Sequence, residues 1–352
     1  MAVRLTRGRL VLLGAGAVAA GLLIPNVASA ATAKANWGNF DRSGIGFNTL
    51  QPSTVTVHKG DKVAFTILGF HTVVIPKAGA KVPGLIAPSA QLNPATNDPA
   101  GQPYWWGGTT PILQVNVPAV APSGGTVANG RKTVNSGLVD GNAPKFTVSF
   151  PKVGTYQIRC AVHPFMKGTV KVVNGSGATN AALKARGADE QAQQLATVKA
   201  IVKKADKATG PVVAIGPGNR KAESFSFNPA NRTVPAGTAV TFSMDNGNEV
   251  HTVTFGPKPF VIGNVAKNFF PSSPTSLNLG SEGAYPSNPP AAGVPSLTPT
   301  THGNGFLNSG LLADKGTVPN TPSSFTVTFP VAGTYQYHCI VHPEMQGTIT
   351  VS

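Results

Sequence analysis

Short runs in which apolar and polar residues alternate recur along this chain, each closed by a turn rich in glycine, proline or lysine. Thr54-Val55-Thr56-Val57-His58 alternates, breaks at Lys59-Gly60-Asp61, and resumes as Lys62-Val63-Ala64-Phe65-Thr66-Ile67. Side chains on a strand face opposite sides in turn, so this period of two predicts a hairpin-like pair of half-buried strands. Further on, Thr147-Val148-Ser149-Phe150 leads to Gly154-Thr155-Tyr156, and Gly168-Thr169-Val170-Lys171-Val172 alternates again. The second half repeats this order. Asn231 to Val234, a Pro235-Ala236-Gly237 turn and Thr238 to Phe242 are followed by Thr326 to Phe329, Gly333-Thr334-Tyr335 and Gly347-Thr348-Ile349-Thr350-Val351. Thr56 and Thr233, His71 and His251, and Cys160 and Cys339 stand 177, 180 and 179 positions apart, the mark of an internal duplication. The pattern predicts an all-β chain of two tandem Greek-key β-sandwich domains.

Residues 175–210 differ in kind. Gly175-Ser176-Gly177-Ala178 reads as flexible, and Asn180 to Ala208 is rich in Ala, Gln and Lys. Leu195, Val198 and Val202 recur at helical spacing, which predicts one helix acting as a spacer between the domains. The expected organisation is a signal peptide over 1–30, a first domain over 31–174, the helical linker over 175–210, and a second domain over 211–352. Within the first domain, residues 31–45 read as a loose N-terminal arm. Two stretches rich in Pro, Gly, Ser and Asn, Pro83 to Asn142 and Pro257 to Pro322, read as long surface loops over one end of each sandwich. Asn135-Ser136-Gly137-Leu138 and Asn308-Ser309-Gly310-Leu311 recur inside them, so the insertions were duplicated as well.

Composition agrees with strands and turns. Of 352 residues, 40 are glycine and 31 proline, while charged residues make up 12%; the length suffices for two domains with a core each. Arg4, Arg7 and Arg9 precede an apolar run from Leu10 to Ile24 and then Val27-Ala28-Ser29-Ala30, the layout of a secretory signal cleaved after Ala30. The apolar run is short for a membrane span, so no transmembrane anchor is expected after cleavage. The net charge of +15 includes those three arginines and is +12 without them. A basic exported protein favours acidic redox partners or an anionic cell surface, an attraction that weakens with salt. Scattered charge and export both argue against nucleic acid as a partner.

The candidate chemistry lies in a second duplicated motif. Cys160-Ala161-Val162-His163-Pro164-Phe165-Met166 and Cys339-Ile340-Val341-His342-Pro343-Glu344-Met345 each join two strand-like runs. These are the only two cysteines of the chain, and outside the initiator two of its three methionines fall in the motif. Thiolate, imidazole and thioether make a soft ligand set. One upstream histidine, His71 in one copy and His251 in the other, completes two His, one Cys and a weak Met, the donor set of a blue-copper site. A disulfide between Cys160 and Cys339 is the alternative that export permits. Thr72 and Thr252 follow the upstream histidines and read either as hydrogen-bonding supports of the ligands or as ordinary strand threonines.

The loop, with its His-Pro, one residue and Met, resembles the copper loop of the amicyanin- and plastocyanin-type cupredoxins. The resemblance spans two segments of roughly 130 residues. It implies cupredoxin-type domains and a secreted electron carrier with two type 1 coppers per chain. The sites would be His71, Cys160, His163 and Met166, and His251, Cys339, His342 and Met345, with no catalytic residues. It implies too that the loop histidines, His163 and His342, reach the surface to pass electrons, with Pro164-Phe165 as an apolar docking rim and Pro343-Glu344 as a more polar one. The intervals from His71 to Cys160 and from His251 to Cys339 hold 88 and 87 residues, longer than in those proteins. The rival readings are a two-domain copper oxidase or nitrite reductase, and an extracellular copper storage or delivery protein. An oxidase or reductase needs further copper on histidines such as His58, His302 or His338, yet the chain has no His-x-His pair.

Overall fold

Thr32–Phe40, expected as a loose arm, is a strand at the centre of the first sheet system. It runs antiparallel to Ile45–His58 and parallel to Lys62–Ile67, with Trp37 opposite Leu50 on one side and Ile67 on the other. In the computed structural model, residues 30–139, 144–271, 276–315, 317–318 and 321–352 are described. The segment expected to be a signal peptide therefore lies, apart from Ala30, outside the described residues. The protein is mostly β-strand, arranged in several sheets.

The expected hairpins do not form. Ile45–His58 and Lys62–Ile67 are not hydrogen-bonded to each other; Thr32–Phe40 lies between them. The Lys59-Gly60-Asp61 turn carries the chain from one sheet to the other. The last part of Ile45–His58 pairs with Lys167–Val173, while Lys62–Ile67 pairs with Lys145–Ser149. Asn231–Val234 and Thr238–Ser243 repeat the arrangement. The first pairs with Gln346–Val351, the second with Val212–Ile215 and Ser324–Phe329. Alternation shows which face of a strand is buried but not which strand lies beside it.

Each half encloses its own apolar core. Trp37, Val55, Val57, Phe65, Val148 and Val172 pack together in the first, and Phe227, Phe242, Phe255, Phe329, Tyr337 and Ile349 in the second. A buried side chain of this size contributes about 1.5–3 kcal/mol, so each half has a core large enough to position loops rigidly.

Three further contacts join these parts, and Ala31–Ser352 forms one compact unit. Ala222–Ser224 adds antiparallel to Ile45–Phe47, so a strand of the second half extends a first-half sheet. The helix Asn180–Asp206, capped by the Thr179 hydroxyl, does not span free space as a spacer. Its Leu195, Val198 and Val202 face packs on Ile45, Phe47 and Ala222, and the close approach at Gly187 leaves 3.2 Å between an added Cβ and the Gln51 backbone. The insertions also exceed surface loops. Tyr104 and Trp106 from the first pack with Val261, Phe269 and Phe306 from the second, and with Ile340 beside Cys339. Aromatic residues scattered through two proline-rich stretches thus build a third core shared by both copies.

Candidate metal centres

The strand geometry brings each upstream histidine onto its cysteine loop. His71 Nδ1 lies 2.9 Å from His163 Nδ1 and 4.0 Å from Cys160 Sγ, and Cys160 Sγ lies 3.7 Å from His163 Nδ1. In the second copy His251 Nδ1 lies 3.2 Å from His342 Nδ1, and Cys339 Sγ lies 3.7 Å and 3.8 Å from the two nitrogens. Each trio can hold one metal ion. With metal–nitrogen and metal–sulfur bonds of about 2.0 and 2.3 Å, a trigonal plane needs S–N edges of about 3.8 Å and an N–N edge of about 3.5 Å. The second trio comes nearer to these edges, with 3.2 Å between its nitrogens, and the first is contracted there to 2.9 Å. Both cysteines are free and buried, each with its own histidines, so the disulfide is not formed.

Met166 and Met345 are buried at the end of the same loops. In each loop the methionine N–H donates to the histidine carbonyl, at 2.9 Å in both copies. The cysteine N–H donates back to the methionine carbonyl, at 3.4 Å for Cys160 and 3.0 Å for Cys339. These bonds hold cysteine, histidine and methionine on one tight turn.

The threonines grip the same turn. The Thr72 N–H donates to Cys160 Sγ at 3.4 Å, and its hydroxyl accepts the Ala161 N–H at 2.8 Å. Thr252 does the same for Cys339 at 3.4 Å and for the Ile340 N–H at 3.0 Å. They are supports of the ligand loop rather than ordinary strand residues. The repeated Asn-Ser-Gly-Leu segment supports the other side. Ser136 Oγ accepts the Val73 N–H at 2.8 Å and Ser309 Oγ accepts the Val253 N–H at 2.9 Å, two residues beyond each upstream histidine. Glycines make room for the histidine rings. At Gly38 and Gly216, both at positive φ, an added Cβ would run into His71 and His251 Nε2, the latter at 2.7 Å. Sequence reasoning missed these two positions, although both are glycines near the start of each copy.

The electrostatics prepare both trios for a cation. Burial opposes the Cys160 thiolate, but hydrogen bonds to His163 and His71 and their positive charge outweigh it, holding the thiol well below its ordinary range. Cys339 is lowered in the same way by His251 and His342. Burial disfavours protonated His342, yet its bond to Cys339 and the charges of Cys339 and Glu249 raise it to about 9. A lowered thiol beside the raised His342 makes a donor set whose proton would leave when a metal enters.

The expectation of an exposed loop histidine fails at His163 and holds only in part at His342. His163 is 3% exposed, because its loop is pressed against the second half of the chain. Its Nε2 lies 2.9 Å from Glu249 Oε2, the Phe165 N–H donates to Asn248 Oδ1 at 3.1 Å, and Arg220 sits 3.9 Å over the Phe165 ring. The docking rim expected at Pro164-Phe165 is thus occupied from within the chain. His342 keeps partial exposure and stacks on Phe225 at 4.6 Å, and Pro343 and Glu344 are exposed. A cavity of about 620 Å3 between the loops is lined by His163, His342, Glu249, Phe70, Phe225 and Phe270, among others.

Among the described residues the other histidines join no metal-binding group. His58 is exposed; His302 bonds to Asp98 and Asn288 at 3.0 and 3.1 Å. His338 is buried on its strand with neither ring nitrogen partnered, and burial lowers its pKa. No helix among the described residues is long and apolar enough to cross a membrane.

No protein-family model matches the sequence, and no curated protein matches it. Among solved structures it is similar to a reduced amicyanin mutant at 19% identity, over 42% of this chain and 89% of that one, with a TM-score of 0.22. A Cu(I) form of another amicyanin mutant is similar at 20% identity, with the same coverage and TM-score.

Proposed function

We propose that the chain is an exported electron-transfer protein that holds one type 1 copper in each half. The first would be held by His71, Cys160 and His163 with Met166 as a weak further ligand, the second by His251, Cys339 and His342 with Met345. The observation that carries this reading is the pair of His–Cys–His trios, each with its ligand atoms within 4.8 Å of one another and each followed on its cysteine loop by a buried methionine. Copper held by these residues would supply a one-electron couple, because a set of two imidazoles, one thiolate and a weak thioether suits both Cu(I) and Cu(II).

The chain's own residues do the rest. Thr72 and Thr252 fix each sulfur by a backbone N–H, and the buried cores exclude water from it. The exposed Pro343-Glu344 loop, beside the partly exposed His342, is where a partner would exchange electrons. A groove of about 700 Å3 beside Phe165, lined in part by Arg159, Lys167, Arg220 and Lys221, offers an acidic partner a basic seat. Residues 1–30 carry the extracytoplasmic reading through their arginines, apolar run and small-residue end.

The test is copper stoichiometry with an electron paramagnetic resonance spectrum on the purified chain. Two coppers with narrow, blue-type parallel splitting are expected. Cys160→Ser and Cys339→Ser should each remove one copper and part of the thiolate-to-copper absorption. A folded single variant that loses both coppers, or a wild type that binds none, would overturn the reading.

A further inference from the structure

The two trios are not independent neighbours: their loop histidines converge on one carboxylate. Each of these rings presents Nδ1 to its own cysteine and Nε2 to Glu249. His163 Nε2 is hydrogen-bonded to Glu249 Oε2 at 2.9 Å, and His342 Nε2 stands 4.0 Å from the same oxygen. Glu249 is also two residues before His251 in the chain, so it belongs to the framework of the second site while bonded to the first.

The carboxylate is held from several sides. Its other oxygen accepts from Asn48 Nδ2 at 3.3 Å. Glu223 accepts the backbone N–H of Glu249 at 2.9 Å and of Asn248 at 3.2 Å, which fixes the turn that aims the side chain. Asn248 in turn holds the first copper loop through the Phe165 N–H. The equivalent position in the first copy is Gly69, at positive φ, where an added Cβ would come within 3.0 Å of His71 Nε2. One carboxylate therefore serves both loops, and the duplication has diverged at the point where the halves meet.

We propose that Glu249 joins the two centres into one electron-exchanging pair, with the path running from one metal through His342, the Glu249 carboxylate and His163 to the other. This rests on the copper reading above. In the step, one Cu(I) is oxidised to Cu(II) and the other Cu(II) is reduced to Cu(I). No bond forms or breaks, and both imidazoles keep their Nε2 protons. The buried first site thereby communicates with partners through the partly exposed second one. The His163–Glu249 hydrogen bond, with the His342 ring 4.0 Å from the same oxygen, gives a polar route from one loop to the other. Removing a carboxylate that holds a ligating histidine costs about 10–100-fold in metal affinity or activity.

The experiment uses the full chain loaded with copper, and Glu249→Gln and Glu249→Ala. Copper is counted first. A wild type without copper sinks the copper reading and the pair with it, whereas two coppers isolate the question of the bridge. One site is then reduced by a radiolytic pulse of carbon dioxide radical anion, and redistribution between the sites is followed by absorption. Wild type should equilibrate at a rate independent of protein concentration, and Glu249→Ala should slow this by about tenfold or more. The nitrogen-15 shift of His163 Nε2 in the Cu(I) protein should move in both variants, reporting the lost carboxylate contact without any turnover. Concentration-dependent exchange in wild type would overturn the proposal whatever the variants do. So would an unchanged exchange rate in a variant that retains both coppers.

Discussion

Thr72→Val tests how the first ligand loop is held. The substitution keeps the shape and removes the hydroxyl. That hydroxyl accepts the Ala161 N–H at 2.8 Å and lies 3.8 Å from Cys160 Sγ, and the residue is fully buried. Valine offers no acceptor, so the Ala161 N–H is left buried without a partner, at a cost of about 1–3 kcal/mol. For one cooperative unit of this size, about 2 kcal/mol corresponds to a fall of about 3 °C in Tm. Thr72→Ser keeps the hydroxyl and removes a methyl, which costs about 0.8 kcal/mol of burial. The assay pairs thermal unfolding of the metal-free chain with the absorption of the copper-loaded one. Thr72→Val should lower Tm more than Thr72→Ser, and should perturb the thiolate-to-copper band of the first site alone. The backbone N–H to Cys160 Sγ survives in both variants, so the band should shift rather than vanish. Equal Tm values for the two variants, with the valine spectrum unaltered, would show that the hydroxyl does not secure the loop.

Three other outcomes follow from named contacts. Trp106 is fully buried and stacked on Tyr104 at 4.2 Å, so Trp106→Ala should cost about 3–5 kcal/mol in denaturant unfolding, and a loss under about 1 kcal/mol would deny the shared core. Burial and the neighbouring Glu249 charge raise Glu223 from 4.5 to about 8, so the folded metal-free chain keeps a proton there that the unfolded chain releases. That contribution is present in full below about 4.5 and is lost as pH rises towards about 8, by up to about 1.4 kcal/mol per unit. Urea midpoints of Glu223→Gln across this range should lack that slope relative to wild type; an identical slope contradicts the buried proton. His338→Gln should leave the copper count unchanged, since His338 belongs to neither trio; a further copper that vanishes with it would favour an oxidase or reductase over a carrier.

The sequence by itself determined the strand class, the recurring motifs and the ligand candidates. Alternation fixes which face of a strand is buried, and a cysteine, histidine and methionine at fixed spacing on one turn must lie close together because the chain between them is short. It also flagged the recurring Asn-Ser-Gly-Leu segments, without showing that their serines grip the strands after His71 and His251. Strand neighbours were out of reach, because hydrogen-bonded partners such as Thr32–Phe40 and Lys62–Ile67 carry no mark of their pairing. The shared insertion core was equally hidden. Its aromatic residues have no period, and they become a core only when Tyr104 and Trp106 meet Phe269 and Phe306 across the two copies. Tertiary structure alone decided that the His163 loop faces inward while the His342 loop stays partly exposed. Glu249 reads in sequence as an ordinary acidic residue near a ligand, and packing of one half on the other places it against His163, a residue 86 positions away. Such a contact depends on the relative placement of two sandwiches, which local patterning does not encode, because each half satisfies its own alternation whatever it packs against.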